Sequence, residues 1–205
     1  MKIKVITSYK PGSWKQYAKR AVESVLQHWP NDVHVCVYHE NQKQDIVNLP
    51  RLEWIDLHLA QPELVKFKER HNNDPVANGE TNEIPNGVRR KGSGKQGKGS
   101  FQWDAVRFAN KVYAVFDAVD RLQNNNWVVW MDADTFVHNP ITYEQFEDLL
   151  PNNKWITYVG RGKGSQTWPE CGFYGLNVQN KTCKSFLNEF KRMYDEADNG
   201  IFKLI

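Results

Sequence analysis

The sequence predicts an α/β fold with a mostly parallel central sheet flanked by helices. Three observations carry this. Short β-branched apolar runs alternate with helix-period segments, the rhythm of β-α-β units. One run, Trp127-Val128-Val129-Trp130-Met131, is apolar without interruption, as a strand covered on both faces requires. At 205 residues, 40% hydrophobic and 25% charged, the chain is long enough for one substantial core and is read as a single domain, residues 1–205.

The elements follow in order. Ile3 to Thr7 is apolar and β-branched and reads as the first strand. Lys10-Pro11-Gly12 breaks it, and Ser13-Trp14-Lys15-Gln16 has the form of a capping box opening a helix. Trp14, Tyr17, Ala18, Ala21, Val22, Val25, Leu26 and Trp29 recur at helical spacing until Pro30 stops them. Val33 to Tyr38 and Leu52 to Leu57 read as the next two strands.

Residues 71–100 are rich in Asn, Gly, Pro and charge, with Arg89, Arg90, Lys91, Lys95 and Lys98 close together. Such a stretch buries little apolar surface and is predicted to be a mobile basic loop. A long helix is expected next, capped by Ser100, with Phe101, Ala105, Phe108, Val112, Phe116, Val119 and Leu122 as its buried stripe. After the apolar strand come a turn at Asn139-Pro140, a short helix from Tyr143 to Leu150 and strands Trp155 to Val159 and Gly172 to Val178. A last amphipathic helix carries Phe186, Phe190, Met193 and Ala197. The chain stops on Ile201-Phe202-Lys203-Leu204-Ile205, an ending expected of a truncation or of an edge-pairing strand.

Formal net charge is +3, which by itself neither requires nor excludes a nucleic-acid partner. Three cysteines, Cys36, Cys171 and Cys183, form no CxxC pair and suit a reducing compartment. The amino terminus reads as a strand rather than the apolar region of a signal peptide, and no run approaches a membrane span. A soluble, cytoplasmic protein is the expectation.

The chemistry concentrates at Asp132-Ala133-Asp134, directly after the most apolar strand. In extended chain, residues two apart point to the same side with Cα atoms roughly 6.6 Å apart. Both carboxylates then face one region at the carboxyl end of a central strand, where open α/β sheets bind ligands. Two bare carboxylates about 5 Å apart repel by roughly 3 kcal/mol at an effective dielectric near 20, so a positive group belongs close by. Mg²⁺ or Mn²⁺ suits carboxylate oxygens shared with phosphate and water. The plainer alternative is that Asp132 caps the strand end and Asp134 opens a solvated turn.

Trp130-Met131-Asp132-Ala133-Asp134-Thr135-Phe136-Val137, followed by Asn139-Pro140-Ile141, resembles the DxD block of GT-A glycosyltransferases, whose fold is Rossmann-like. Upstream, Lys111-Val112-Tyr113-Ala114-Val115 with Ala118-Val119 is similar to the lysine-bearing helix before that block. Downstream, Glu170-Cys171-Gly172-Phe173-Tyr174-Gly175-Leu176-Asn177 is similar to the acceptor-side segment. The resemblance implies a nucleoside diphosphate sugar donor, with UDP-sugar favoured, and a glycan, lipid or protein acceptor. It implies that Asp134 ligates the metal directly and that Asp132 contacts the metal through water or the ribose. Thr7, Ser8 and Tyr9 would line the nucleoside, Arg107 and Lys111 would face the diphosphate, and Gly172 would lie on the acceptor side with Glu170 as candidate base. Arg107, Lys111 and Glu170 have plain alternatives: a solvated helix face for the first two, with Asp104 beside Arg107, and an exposed loop glutamate for the third. These proteins also supply a further metal ligand, often His or Asp. After Asn177 only Asp195 and Asp198 qualify by type, and helical spacing places both on a surface.

Other signals are weaker. Gly92-Ser93-Gly94-Lys95-Gln96-Gly97 satisfies GxGxxG but follows no strand. Gly160-Arg161-Gly162-Lys163-Gly164-Ser165 follows a strand and offers backbone amides or Arg161 to an anionic or sugar ligand. The six histidines lack ligand spacing, and His138 reads as a turn residue. A haloacid-dehalogenase-like phosphatase also places Asp-x-Asp after an apolar strand, but near the amino terminus and with Thr or Val where Phe136 stands. A non-catalytic basic-loop nucleic-acid module would not need the acidic pair, and no specific nucleic-acid partner is expected. An inactive, degenerate glycosyltransferase-like domain is the third alternative.

Overall fold

The computed structural model describes residues 2–41, 49–80, 104–121, 126–163 and 166–196, the side chains of 161–163 and 166–169 excepted. Its strands are β1 (Ile3–Ser8), β2 (His34–His39), β3 (Leu52–Asp56), β4 (Trp127–Met131), β5 (Ile156–Lys163) and β6 (Gln166–Asn177). Its helices are α1 (Lys19–His28), entered through a π-turn at Trp14–Ala18, then α2 (Leu57–Ala60), α3 (Pro62–Arg70), α4 (Ala105–Arg121), α5 (Tyr143–Leu149) and α6 (Lys181–Asp195). The strands form one sheet in the order β3-β2-β1-β4-β6-β5. The first four are parallel, while β6 runs antiparallel to both β4 and β5. This is the mostly parallel α/β sheet that the strand–helix rhythm predicts.

Alternation along the strands sorts the core into two layers. Ile6, Tyr38, Val128, Trp130 and Leu176 face a cluster with Phe67 of α3, Val112, Tyr113 and Phe116 of α4, and Leu187 of α6. Val5, Val37, Trp127, Val129 and Met131 face Ala21, Val22 and Val25 of α1 and Phe146 of α5. Strand β4 lies in the middle and is buried along its whole length, which is why its sequence is apolar at every position.

Several local expectations are corrected. The Ser13 hydroxyl caps nothing: it is buried, its backbone is already helical, and the π-turn starts the helix instead. Helix α4 is capped by Asp104, whose Oδ1 accepts the Arg107 amide at 2.8 Å. Ser100, Phe101 and Leu122 lie outside the described residues, as do 81–100 of the basic stretch, Ala197, Asp198 and the terminal Ile201–Ile205. Residues 71–80 are turns, and Asn78 bridges Asp104. Leu57 begins α2 rather than ending β3, because Asp56 Oδ1 accepts the His58 and Leu59 amides. The capping box that does form belongs to α5, between Thr142 and Gln145. Gly160 to Lys163 does not follow a strand but is part of β5, its backbone paired with Gln166 to Pro169.

One polar network crosses the α4 layer. Asp117 is buried on α4, and its Oδ2 accepts the Tyr38 hydroxyl at 2.8 Å and Arg121 Nε at 2.7 Å. Its Oδ1 accepts Gln61 Nε2 at 3.2 Å.

The cysteines divide by burial. Burial pushes the Cys36 thiol up to about 12 and the Cys183 thiol up to about 11, so neither supplies thiolate at neutral pH. Cys171 is exposed. Titration of the native protein with an aromatic disulfide reagent is expected to modify Cys171 rapidly and the other two only on unfolding. Rapid reaction of all three would show that the α4 and α6 layer opens readily.

Candidate functional site

The carboxyl ends of β2, β1 and β4 lie side by side, and a cleft opens there. Strand β1 contributes Ser8 and the residues after it, Tyr9 and Lys10, and Glu40 follows β2. Helix α4 contributes Arg107, Phe108, Asn110 and Lys111, and Tyr17 comes from the π-turn. Strand β4 and its extension supply Trp130, Asp132, Ala133 and Asp134. Three cationic and three anionic side chains therefore share the cleft: Lys10, Arg107 and Lys111 against Glu40, Asp132 and Asp134.

The acidic pair is divided by environment. Asp132 is half-buried, and its Oδ1 accepts Lys111 Nζ at 3.0 Å and Trp130 Nε1 at 2.6 Å. The positive group that carboxylate repulsion demands is thus Lys111, one and a half turns into α4. The same ammonium donates to the Cys171 carbonyl and lies 4.9 Å from the Trp130 ring centroid. Asp134 is exposed, and no described residue hydrogen-bonds its carboxylate. The turn between them is closed by the Thr135 amide donating to the Asp132 carbonyl at 2.9 Å.

Strand β6 completes the neighbourhood from the other side. The Asp132 amide donates to the Gly172 carbonyl at 2.8 Å. A Cβ on Gly172 would stand 3.2 Å from Asp132 Oδ2 and 3.3 Å from Glu170 Oε1, so glycine preserves the space beside that carboxylate. Glu170 Oε1 accepts the Gly172 amide at 3.1 Å. Tyr174 lies behind Lys111, and burial, then the negative charge of Asp132, hold its hydroxyl well above the usual range. Burial likewise raises Tyr9 to about 12, so this phenol stays neutral in the cleft.

Of the sequence-derived site residues, the structure gathers Ser8, Tyr9, Arg107, Lys111, Asp132 and Asp134 around one cleft. Thr7 does not line it. Its side chain faces the core, 1% exposed, because alternation along β1 turns it away from Ser8. Glu170 and Gly172 adjoin the acidic pair without lining the cleft. Asp195, read as a surface residue, instead accepts the Tyr113 hydroxyl at 2.8 Å and pairs with Lys191 at 3.2 Å. His138 is exposed and packs on Phe136, whose ring carries Arg20 at 3.8 Å. Sequence reasoning missed Glu40 and Lys10. A lone acid after the second strand of a β-α-β unit was the available signal.

Carboxylate oxygens from Asp132 Oδ2 and Asp134 form a hard donor set of the kind that Mg²⁺ or Mn²⁺ completes with phosphate and water. Among the described residues no three His, Cys, Asp or Glu side chains converge as a self-sufficient metal cage. No described helix is long and apolar enough to cross a membrane.

No family model matches this chain, and no curated protein does. Solved structures do. The galactosyltransferase LgtC, determined with donor and acceptor sugar analogues, superposes with a TM-score of 0.54 at 10% identity, over 95% of this chain and 64% of that one. The bifunctional glycosyltransferase WbbM gives 0.52 at 11% identity, over 93% of this chain and 34% of its own. Mouse xyloside xylosyltransferase 1 gives 0.51 at 11% identity, over 94% and 76%. The chain thus has the GT-A glycosyltransferase fold, and it spans about a third to three quarters of the length of these structures.

Proposed function

We propose that this chain is a metal-dependent glycosyltransferase. It moves a sugar from a nucleoside diphosphate sugar, UDP-sugar favoured, to a hydroxyl of a glycan, lipid or protein acceptor. The observation that carries the reading is the placement of Asp132 and Asp134, with Lys111 and Arg107, around one cleft at the strand ends of a GT-A fold. Asp134 is the direct ligand to Mn²⁺ or Mg²⁺, since its carboxylate is exposed. Asp132 presents Oδ2, its other oxygen being taken by Lys111 and Trp130. When bound, the cation supplies Lewis-acid neutralisation of the departing diphosphate.

The chain's own groups do the rest. Arg107 and Lys111 lie four residues apart on α4 and put two cations on the cleft wall where phosphate charge grows. Ser8 and Tyr9 offer neutral hydroxyls toward the nucleoside. Thr7 acts only from behind, by fixing β1. Glu170 is the candidate base for the acceptor hydroxyl, tethered through the Gly172 amide on the acceptor side. The three free thiols support a cytoplasmic placement.

The test is a thermal-shift and calorimetric screen of UDP-, GDP-, CDP- and ADP-sugars, each with and without Mn²⁺. A donor at 100 times its Kd stabilises by about 2.7 kcal/mol, or roughly 5–11 °C for a chain of this size. The shift is expected for one nucleotide class and only with the cation. A flat response to every nucleoside diphosphate would defeat the assignment.

A further inference from the structure

Strand β4 carries two tryptophans, and their indoles end in different surroundings. Trp127 is fully buried toward α1, and its indole nitrogen meets no acceptor among the described residues. Trp130 is buried toward α4, 2% exposed, and its Nε1 donates to Asp132 Oδ1 at 2.6 Å. Residues two apart on an extended strand share a face, so the indole at 130 reaches along its own strand to the carboxylate at 132. Phenylalanine or leucine would fill the same core position, but neither has a hydrogen to donate. Core packing therefore accounts for an apolar ring at 130 and not for a donor directed at the acidic pair.

The same carboxylate oxygen takes a second donor. Lys111 Nζ lies 3.0 Å from Oδ1, and it sits 4.9 Å from the Trp130 ring centroid and 5.5 Å from that of Tyr174. Its side chain is 15% exposed, so the ammonium is held in an aromatic slot rather than in open solvent. Cation–π attraction grows as such a pair is desolvated. Trp130 thus bears on Asp132 twice, through its N–H and through the wall it gives to Lys111. Among the described residues nothing hydrogen-bonds Oδ2. Gly172 keeps the space beside that oxygen, since a Cβ there would stand 3.2 Å away. One oxygen is gripped by two donors and the other is left open, which defines a single orientation of the carboxylate.

Taking the activity to be the metal-dependent transfer proposed above, we infer that Trp130 is a positioning residue for it. Its indole N–H holds Asp132 in the orientation that leaves Oδ2 for the cation-bound nucleotide. A carboxylate that must be ordered at the moment of association weakens binding by the rotamer freedom it loses, and one already held does not. Asp134 has no such hold, because no described residue hydrogen-bonds its carboxylate. Trp130 makes Asp132 the fixed half of the pair and leaves Asp134 as the adaptable half.

Trp130→Phe removes the donor and keeps an aromatic face for Lys111. Calorimetry with UDP, GDP, CDP and ADP identifies the nucleotide that the wild type binds in the presence of Mn²⁺. For that nucleotide Trp130→Phe is expected to weaken Mn²⁺-dependent binding by about 3- to 10-fold, the equivalent of one side chain newly ordered on association. Binding without the cation is expected to stay as it was. Trp127→Phe is the control: it deletes the same atoms from the same strand, lowers the melting temperature and leaves Mn²⁺-nucleotide affinity unchanged. A second readout needs no nucleotide and no change at Trp130. The Trp130 indole N–H resonance, assigned from its contacts along β4, is expected to shift in Asp132→Asn while that of Trp127 stays in place. Wild-type Mn²⁺-nucleotide affinity in Trp130→Phe overturns the inference and leaves the proposed activity intact. So does an equal loss of affinity in Trp127→Phe, or a Trp130 indole resonance indifferent to Asp132→Asn. Failure of the wild type to bind any of the four diphosphates with Mn²⁺ brings down the proposed activity, and the positioning role with it.

Discussion

Asp134→Asn is expected to lower kcat/KM for sugar transfer by about 10²- to 10³-fold, the scale lost when one electrostatic stabiliser of a leaving group is removed. The melting temperature of the ligand-free protein is expected to stay where it is. Both halves follow from exposure. Asp134 has no hydrogen-bond partner among the described residues, so removing its charge breaks none of their contacts, whereas the cation of the proposed reaction would depend on it. Asn keeps the shape and removes the charge. Carboxylate repulsion does not enter, because Lys111 already neutralises Asp132 at 3.0 Å. Asp132→Asn should behave differently, weakening nucleotide binding and also releasing Lys111 and the Trp130 indole from a shared acceptor. If Asp134 merely opened a turn, Asn would cost some stability and leave Mn²⁺-nucleotide affinity untouched. Calorimetric titration beside a melting curve separates the two.

Asp117→Ala is expected to be strongly destabilising, lowering stability by about 3 kcal/mol. Breaking a buried ion pair by removing one partner costs roughly 3–5 kcal/mol, and here Arg121 is half exposed and can turn to water, which favours the lower end. The buried Tyr38 hydroxyl cannot. Burial, reinforced by neighbouring negative charge, keeps it protonated far above its ordinary range, and without Asp117 it has lost its acceptor. For a chain of this size the melting temperature should fall by roughly 6–12 °C. Scanning calorimetry checks this, with Arg121→Met as the comparison expected to cost less. Equal losses would mean that the ion pair, not the buried hydroxyl, carries the network.

These two residues also mark what the sequence could and could not disclose. Trp127–Met131 and the Asp-Ala-Asp that follows were legible because a strand covered on both faces leaves an unbroken apolar run, and strand ends of such sheets hold ligands. The amphipathic α4 was legible from its period. Asp117 was not, since a buried acid on a helix looks like any solvated one until Tyr38, 79 residues away, is seen to meet it. The helix start at Ser13 was misread because capping residue types are common, and only burial and backbone angle decide which of them cap. Glu40 escaped for a similar reason: its partners come from α2 and α3, and no local spacing announces them.

The reversal of direction at β6 has a further consequence. Met131, the last residue of β4, pairs with Phe173, yet β6 begins at Gln166 and continues to pair with β5 as far as Lys163. The hairpin therefore overhangs the end of the parallel sheet as a cantilever beside the acidic pair. Its root, from Gly172 to Asn177, is committed to β4, while among the described residues its outer half pairs with no further strand.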